Sequence, residues 1–203
     1  MNQKVVVVFI EGDTEEEFYA QILQELRKKA GGKFQCKIEV KNVKGVGQYQ
    51  KKVSRIFEKK LLKQFPDAEF EIFLSYDTDV FELNQKPPVN WDEVTNKLLL
   101  LGANSVHQIK AKRSIEDWIL YDIEGVRNFL KLPQKTKLSG YKGTVGLQQI
   151  FKKASKTYVK GNSSNGLVKA LHFDIIFPQI CSEICELCNA LNVSCNSNNK
   201  LCK

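Results

Sequence analysis

The order of apolar patterns along this chain predicts an α/β fold, with a parallel-rich sheet of about four strands, flanking helices and then a helical C-terminal lobe. Two observations predict the sheet. Short β-branched and aromatic runs alternate with helical periodicity as far as Ile109, and the first run, Lys4 to Ile10, is apolar without a break, as a strand buried on both faces must be. A third predicts the lobe: from Ser114 onward the strand signal vanishes and helical patterns remain.

After Lys4 to Ile10, Gly12 frees a turn, Asp13 or Thr14 can cap a helix, and the acids at 15 to 17 suit its first turn. Phe18, Ile22, Leu23 and Leu26 share one face of that helix, and Gly31-Gly32 stops it. Phe34 to Val40 alternates as a second strand, and Lys41 to Gly47 is a loop. A helix from about Tyr49 to Leu62 turns Val53, Ile56, Phe57 and Leu61 inward. Phe70 to Tyr76 is the third strand, Trp91 to Leu101 a helix ended by Gly102, and Ser105 to Ile109 the fourth strand. Strand-helix alternation of this kind makes right-handed parallel crossovers the economical topology. Beyond lie helices over Ile115 to Tyr121, Ile123 to Leu130, Val145 to Tyr158 and Ile175 to Leu191, punctuated by Pro133, Gly140, Gly143 and the tract from Gly161 to Gly166. The division is residues 1–122 as an α/β unit and 123–203 as a basic helical lobe, with a frayed tail from Asn192.

Charge separates the same two parts. At 203 residues, 42% hydrophobic and 27% charged, the chain is ordinary globular material with a net charge of +8. Residues 1–124 carry 19 Lys/Arg against 20 Asp/Glu, whereas residues 125–173 carry ten basic residues and no acid. Lys131, Lys135, Lys137, Lys142, Lys152, Lys153, Lys156 and Lys160 therefore form a candidate nucleic-acid-binding set, since a basic block of this length attracts polyphosphate. A solvated surface is the alternative for such a block. The apolar start is too short for a membrane span or a signal core and acids follow it at once, so no membrane is involved and a cytoplasmic setting is expected, in which the six cysteines need not be bridges.

Two strand ends carry the chemistry. The first is followed by Glu11-Gly12-Asp13-Thr14-Glu15 and the third by Asp77-Thr78-Asp79. In open α/β sheets, ligands bind outside the carboxyl ends of the strands, where Glu11, Asp77 and Asp79 could meet around one Mg²⁺ or Mn²⁺, with Glu15 a helical turn above. Crowded carboxylates are tolerable mainly with a cation among them. This apolar-strand-Glu-Gly followed by apolar-strand-Asp-x-Asp resembles the TOPRIM domain of topoisomerases, DnaG-type primases and OLD-type nucleases, and the Glu11/Glu15 spacing is most similar to the OLD branch. The resemblance covers about residues 1–122. It implies a TOPRIM-like, Rossmann-like domain and a Mg²⁺-dependent nuclease of DNA or RNA. In that family Glu11 would be a metal ligand or general acid/base, Asp77 and Asp79 would hold the ion, and Glu15, with Glu116 for a second metal, would complete a two-metal site. Small stand-alone proteins of this kind look like anti-phage components with a protein partner.

Lys112 and Arg113, after the fourth strand, are candidates to neutralise charge developing on the phosphate. Two other readings remain. Asp77-Thr78-Asp79-Val80 also resembles the nucleophile loop of haloacid-dehalogenase-type phosphatases, although that motif belongs on a first strand and needs a later acidic pair. A non-catalytic nucleic-acid-binding or regulatory protein would use the basic lobe alone. Trp118 and His107 read as structural, and Cys181, Cys185 and Cys188 follow the helical spacing of a core stripe rather than that of paired metal knuckles.

Overall fold

The computed structural model describes residues 3–78, 89–161 and 166–193. Four strands form one sheet: β1 (Lys4–Ile10), β2 (Lys37–Asn42), β3 (Glu69–Asp77) and β4 (Ser105–Ala111), in the order β2-β1-β3-β4. All three pairings are parallel, with Val6 opposite Ile38, Val5 opposite Phe70 and Asp77 opposite Ala111. The uninterrupted apolar run of β1 has its cause here. Val5 to Ile10 are all completely buried because β1 is central and both faces of the sheet are covered. Burial of that kind contributes roughly 1.5–3 kcal/mol per large apolar side chain, enough to make the strand ends a rigid platform.

Odd and even positions go to different layers. Val5, Val7, Phe9, Phe70, Ile72 and Leu74 face one core, closed by Tyr49, Val53, Phe57 and Leu61 and by Val94 and Leu98. Those residues come from α2 (Tyr49–Ile56), the π turn Phe57–Leu61 that continues it into α3 (Leu62–Gln64), and α4 (Trp91–Leu100). Sequence periodicity predicts one α-helix here. Val53, Phe57 and Leu61 are spaced by four, which overshoots a 3.6-residue turn, and the wider π turn absorbs the overshoot so that all three stay buried.

Val6, Val8, Ile10, Phe73, Ile109 and Ala111 face the second core, under α1 (Asp13–Lys29) and the helical segment beyond β4. That segment comprises α5 (Ile115–Leu120), α6 (Ile123–Leu130), α7 (Gly143–Lys153), α8 (Phe173–Ile180) and α9 (Cys185–Ala190). Its Trp118, Val126, Leu147, Ile150, Ile176 and Ile184 belong to the same cluster as the sheet residues. The helix expected over Ile175 to Leu191 is instead two helices. Pro178 lacks an N–H, and beyond it Glu183 N and Ile184 N both turn back to Ile180 O, which ends the regular ladder.

Trp118 is fully buried and His107 stacks on Phe73 with ring centroids 5.0 Å apart. Cys181 and Cys188 lie in the core beside Ile180, Ile184 and Leu187, with Cys181 disulfide-bonded. Among the described residues, no helix is long and apolar enough to cross a membrane.

Candidate metal centre

The end of β1 delivers Glu11, and the chain then passes through Gly12 into α1. Gly12 is extended (φ −154°), a conformation open to any residue, so its value lies in the space it leaves. A Cβ there would stand 2.9 Å from Glu15 Oε2, so the missing side chain lets the Glu15 carboxylate fold down over the turn. Glu15 is only 2% exposed, and neither of its oxygens accepts a hydrogen bond among the described residues. β3 runs beside β1 and brings Asp77, 3% exposed, to the same end of the sheet. Its backbone N–H donates to Glu11 Oε2 at 3.5 Å, and its Oδ1 accepts from Ile115 N at 2.9 Å. Ligand oxygens of Glu11, Glu15 and Asp77 all lie within 4.8 Å of one another. Asp79 lies outside the described residues.

A cation already reaches this cluster, and it comes from the basic segment. Lys160 Nζ donates to Asp77 Oδ2 at 2.8 Å and stands 3.7 Å from Glu15 Oε1 and 3.6 Å from Glu116 Oε2. Like the other seven lysines of the candidate nucleic-acid set, Lys160 keeps an exposed side chain, but its ammonium reaches the acids. Its placement has a local cause. Residues 156–159 have no regular hydrogen-bonded structure, so Tyr158 and Lys160, two apart, can point the same way. Tyr158 OH donates to Glu116 Oε1 at 3.1 Å, and Gly161 N donates to Thr14 Oγ1 at 2.8 Å, which pins the segment against the first turn of α1. Glu116, fully buried at the start of α5, thus meets the other acids through one shared ammonium.

Burial dominates the electrostatics. It pushes the Asp77 carboxyl up to about 7 and raises Glu15, with Lys160 opposing both shifts and the neighbouring acids adding to them. Lys160 is itself held above the usual lysine range by Asp77, Glu116 and Glu15, against the effect of its burial. A dense group of carboxylate oxygens only partly compensated by one ammonium is the kind of hard donor set that a divalent cation takes.

Lys112 and Arg113 are exposed beyond β4 and do not enter the carboxylate cluster. They line a neighbouring cleft of about 290 Å³ together with Asp117, Tyr121, Tyr141 and Lys142. Arg113 has a left-handed backbone (φ 71°), and its N–H donates to Thr78 Oγ1 at 2.8 Å, tying the end of β4 to the end of β3. Sequence reasoning missed Lys160 as a partner of the acids, together with Tyr158 and Thr14, which position it. No local signal singles that lysine out, because its place is set by contacts with distant segments. Compared with models of protein families, with curated proteins and with solved structures, the chain matches none.

Proposed function

We propose that this protein is a Mg²⁺- or Mn²⁺-dependent phosphodiester hydrolase acting on nucleic acid, of TOPRIM-like type. The observation that carries the reading is the convergence of Glu11, Glu15 and Asp77 at the carboxyl end of two adjacent parallel strands. The donor set fits such an ion: all ligands are carboxylate oxygens, the two Glu15 oxygens are buried without hydrogen bonds, and Gly12 keeps the approach to them open. Bound there, the ion would polarise a phosphoryl oxygen and acidify a water.

The chain's own groups would do the rest. Asp77 is oriented by Ile115 N, so one oxygen is fixed and the other is presented to the centre. Glu11, the least buried of the three acids, is the one placed to take a proton from an entering water. Lys160, whose side chain is 39% exposed, would be able to turn its ammonium from these acids to a phosphate oxygen of the substrate. The exposed lysines from Lys131 to Lys156 would draw the polyanion to this end of the sheet.

The test is cleavage of plasmid, single-stranded DNA and RNA with Mg²⁺ or Mn²⁺, in parallel with chelator, by the native chain and by Asp77→Asn and Glu11→Gln. Metal-dependent products that both variants lose support the reading, and products that persist in both remove it. A second reading has its own observation: Lys160 already neutralises Asp77, as in a structural ion-pair network within a nucleic-acid-binding protein. Salt-sensitive binding with no calorimetric signal for Mg²⁺ or Mn²⁺ would favour it.

A further inference from the structure

The cleft beside the carboxylates has two walls. One runs from the end of β4 into α5 and carries Lys112, Arg113 and, at its far end, Tyr121. The other is the segment before α7, with Tyr141 and Lys142. Asp117 braces them: Oδ1 accepts from Gly143 N at 2.9 Å and Oδ2 from Ser114 Oγ at 3.2 Å. Both oxygens of the one acid in the cleft are therefore engaged in holding it together, and three cationic side chains set its charge. Tyr121 is 37% exposed, and the Tyr141 ring has Lys153 Nζ 5.9 Å from its centroid. Aromatic faces interleaved with cations bind unstacked bases and their phosphates, because every base offers a π-face and every linkage a negative charge.

Position relates this cleft to the acids. Arg113 N is bonded to Thr78 and Ile115 N to Asp77, so the backbone that forms the rim of the cleft also orients a carboxylate of the centre. A volume of about 290 Å³ is at the small end for ligand sites and admits one planar ring rather than a duplex. In a duplex the base faces are covered by their neighbours, so this cleft would select against it.

We propose that the cleft takes one unstacked base of a single-stranded nucleic acid, against Tyr121 and Tyr141, with the adjoining phosphates on Lys112, Arg113 and Lys142. The proposal rests on the reading of the carboxylates as a site for a phosphodiester, and it makes single strands or frayed ends the substrate class.

The experiment is fluorescence anisotropy in EDTA, where nothing is cut, with a labelled 12-nucleotide single strand and the matching duplex. Tyr121→Ala and Tyr141→Ala should each weaken the single strand about tenfold and leave the duplex unchanged, whereas the Phe variants should bind as the native chain does. Independently of any variant, a 2-aminopurine in the single strand should lose fluorescence when it binds the native protein. Equal losses for single strand and duplex, no loss in either Ala variant, or unchanged 2-aminopurine emission would overturn the proposal. The outcome is separable from the hydrolase reading. Tyrosine-dependent single-strand binding without metal-dependent cleavage would leave the cleft and remove the enzyme, and cleavage indifferent to both tyrosines would do the reverse.

Discussion

Lys160 donates to Asp77 across 83 residues of sequence, Nζ to Oδ2 at 2.8 Å. This contact joins the basic segment to the end of β3 and leads to the first prediction. Asp77 and Glu15 have carboxyl pKa values above their ordinary ones, so between about pH 4 and 7 the folded chain holds more protons than the unfolded chain and stability falls as pH rises. Lys160, raised, keeps its charge throughout that window, and its contribution grows as the acids beside it ionise. Lys160→Met removes the opposing cation, so the fall with pH should steepen and extend upward. Urea midpoints should show a larger deficit against the native chain at pH 8 than at pH 5, and a deficit equal at both would contradict the assignment.

The same variant separates the two functional readings. If a dication can take the place of the ammonium, 10 mM Mg²⁺ (roughly a hundredfold excess over a Kd on the order of 0.1 mM) should raise the melting temperature of Lys160→Met by several degrees. Asp77→Asn should show no such rise, and its cleavage should fall below about 1% of native, since loss of a ligand costs at least as much as loss of a residue that orients one. Thermal melts with and without Mg²⁺ decide between them.

Gly12→Ala is a steric test of the proposed metal centre. Its backbone is extended, so the substitution brings no conformational strain, yet the new Cβ would lie 2.9 Å from Glu15 Oε2. The Glu15 carboxylate has to shift, and a displacement near 1 Å at a reacting centre costs on the order of 100-fold. Expected are a normal urea midpoint and cleavage reduced by one to two orders of magnitude. A variant with full activity would show that Glu15 takes no part.

Gly125→Ala tests the frame instead of the site. Asp122 caps α6 by accepting from Gly125 N at 2.9 Å with Oδ1, and from His172 N at 2.7 Å with Oδ2. A Cβ on Gly125 would fall 2.1 Å from Asp122 Oδ2. Overpacking of this kind costs about 1–3 kcal/mol, to be read in the urea midpoint. Unchanged stability would mean that the cap and the His172 contact are dispensable.

Charge on the lobe should appear in the salt dependence. Lys152, Lys153 and Lys156 are exposed, and if each meets a phosphate, replacing all three with Ala should lower the slope of log K against log [salt] by about 0.7–0.9 per lysine. Titrations between 50 and 200 mM salt measure it, spanning the range over which such contacts are known to weaken by orders of magnitude.

Much of the frame could be read from sequence because its causes are local. Val5 to Ile10 can only be a doubly buried strand, and Gly12, the acids after it and Gly31-Gly32 mark the limits of α1. The four strands occur where periodicity puts them, with β2 shifted to Lys37–Asn42 and β4 carried on to Ala111. Glu11 and Asp77 were legible for the same reason, since each sits one step beyond an apolar pattern that ends, and Glu15 followed from its spacing one helical turn past Glu11. Lys160 was not, because among ten basic residues without an acid nothing local distinguishes the one that meets Asp77. Its position depends on Tyr158 reaching Glu116 and Gly161 reaching Thr14, contacts between segments 42 and 147 residues apart in sequence. The π turn at Phe57–Leu61 was hidden for another reason, since a spacing of four suits either helix until the core selects one.

The second core has a consequence for how the molecule is made. Half the sheet's covering arrives late: Val8, Ile10 and Phe73 are complete before Ile150, Ile176 or Ile184 has been added. A chain emerging from the ribosome therefore has that face covered by α1 alone until the later helices dock, and Lys160 reaches its acids only after its own segment has been made. Completion of that face and of the charged centre both wait on residues beyond β4, so a form truncated there would lack both.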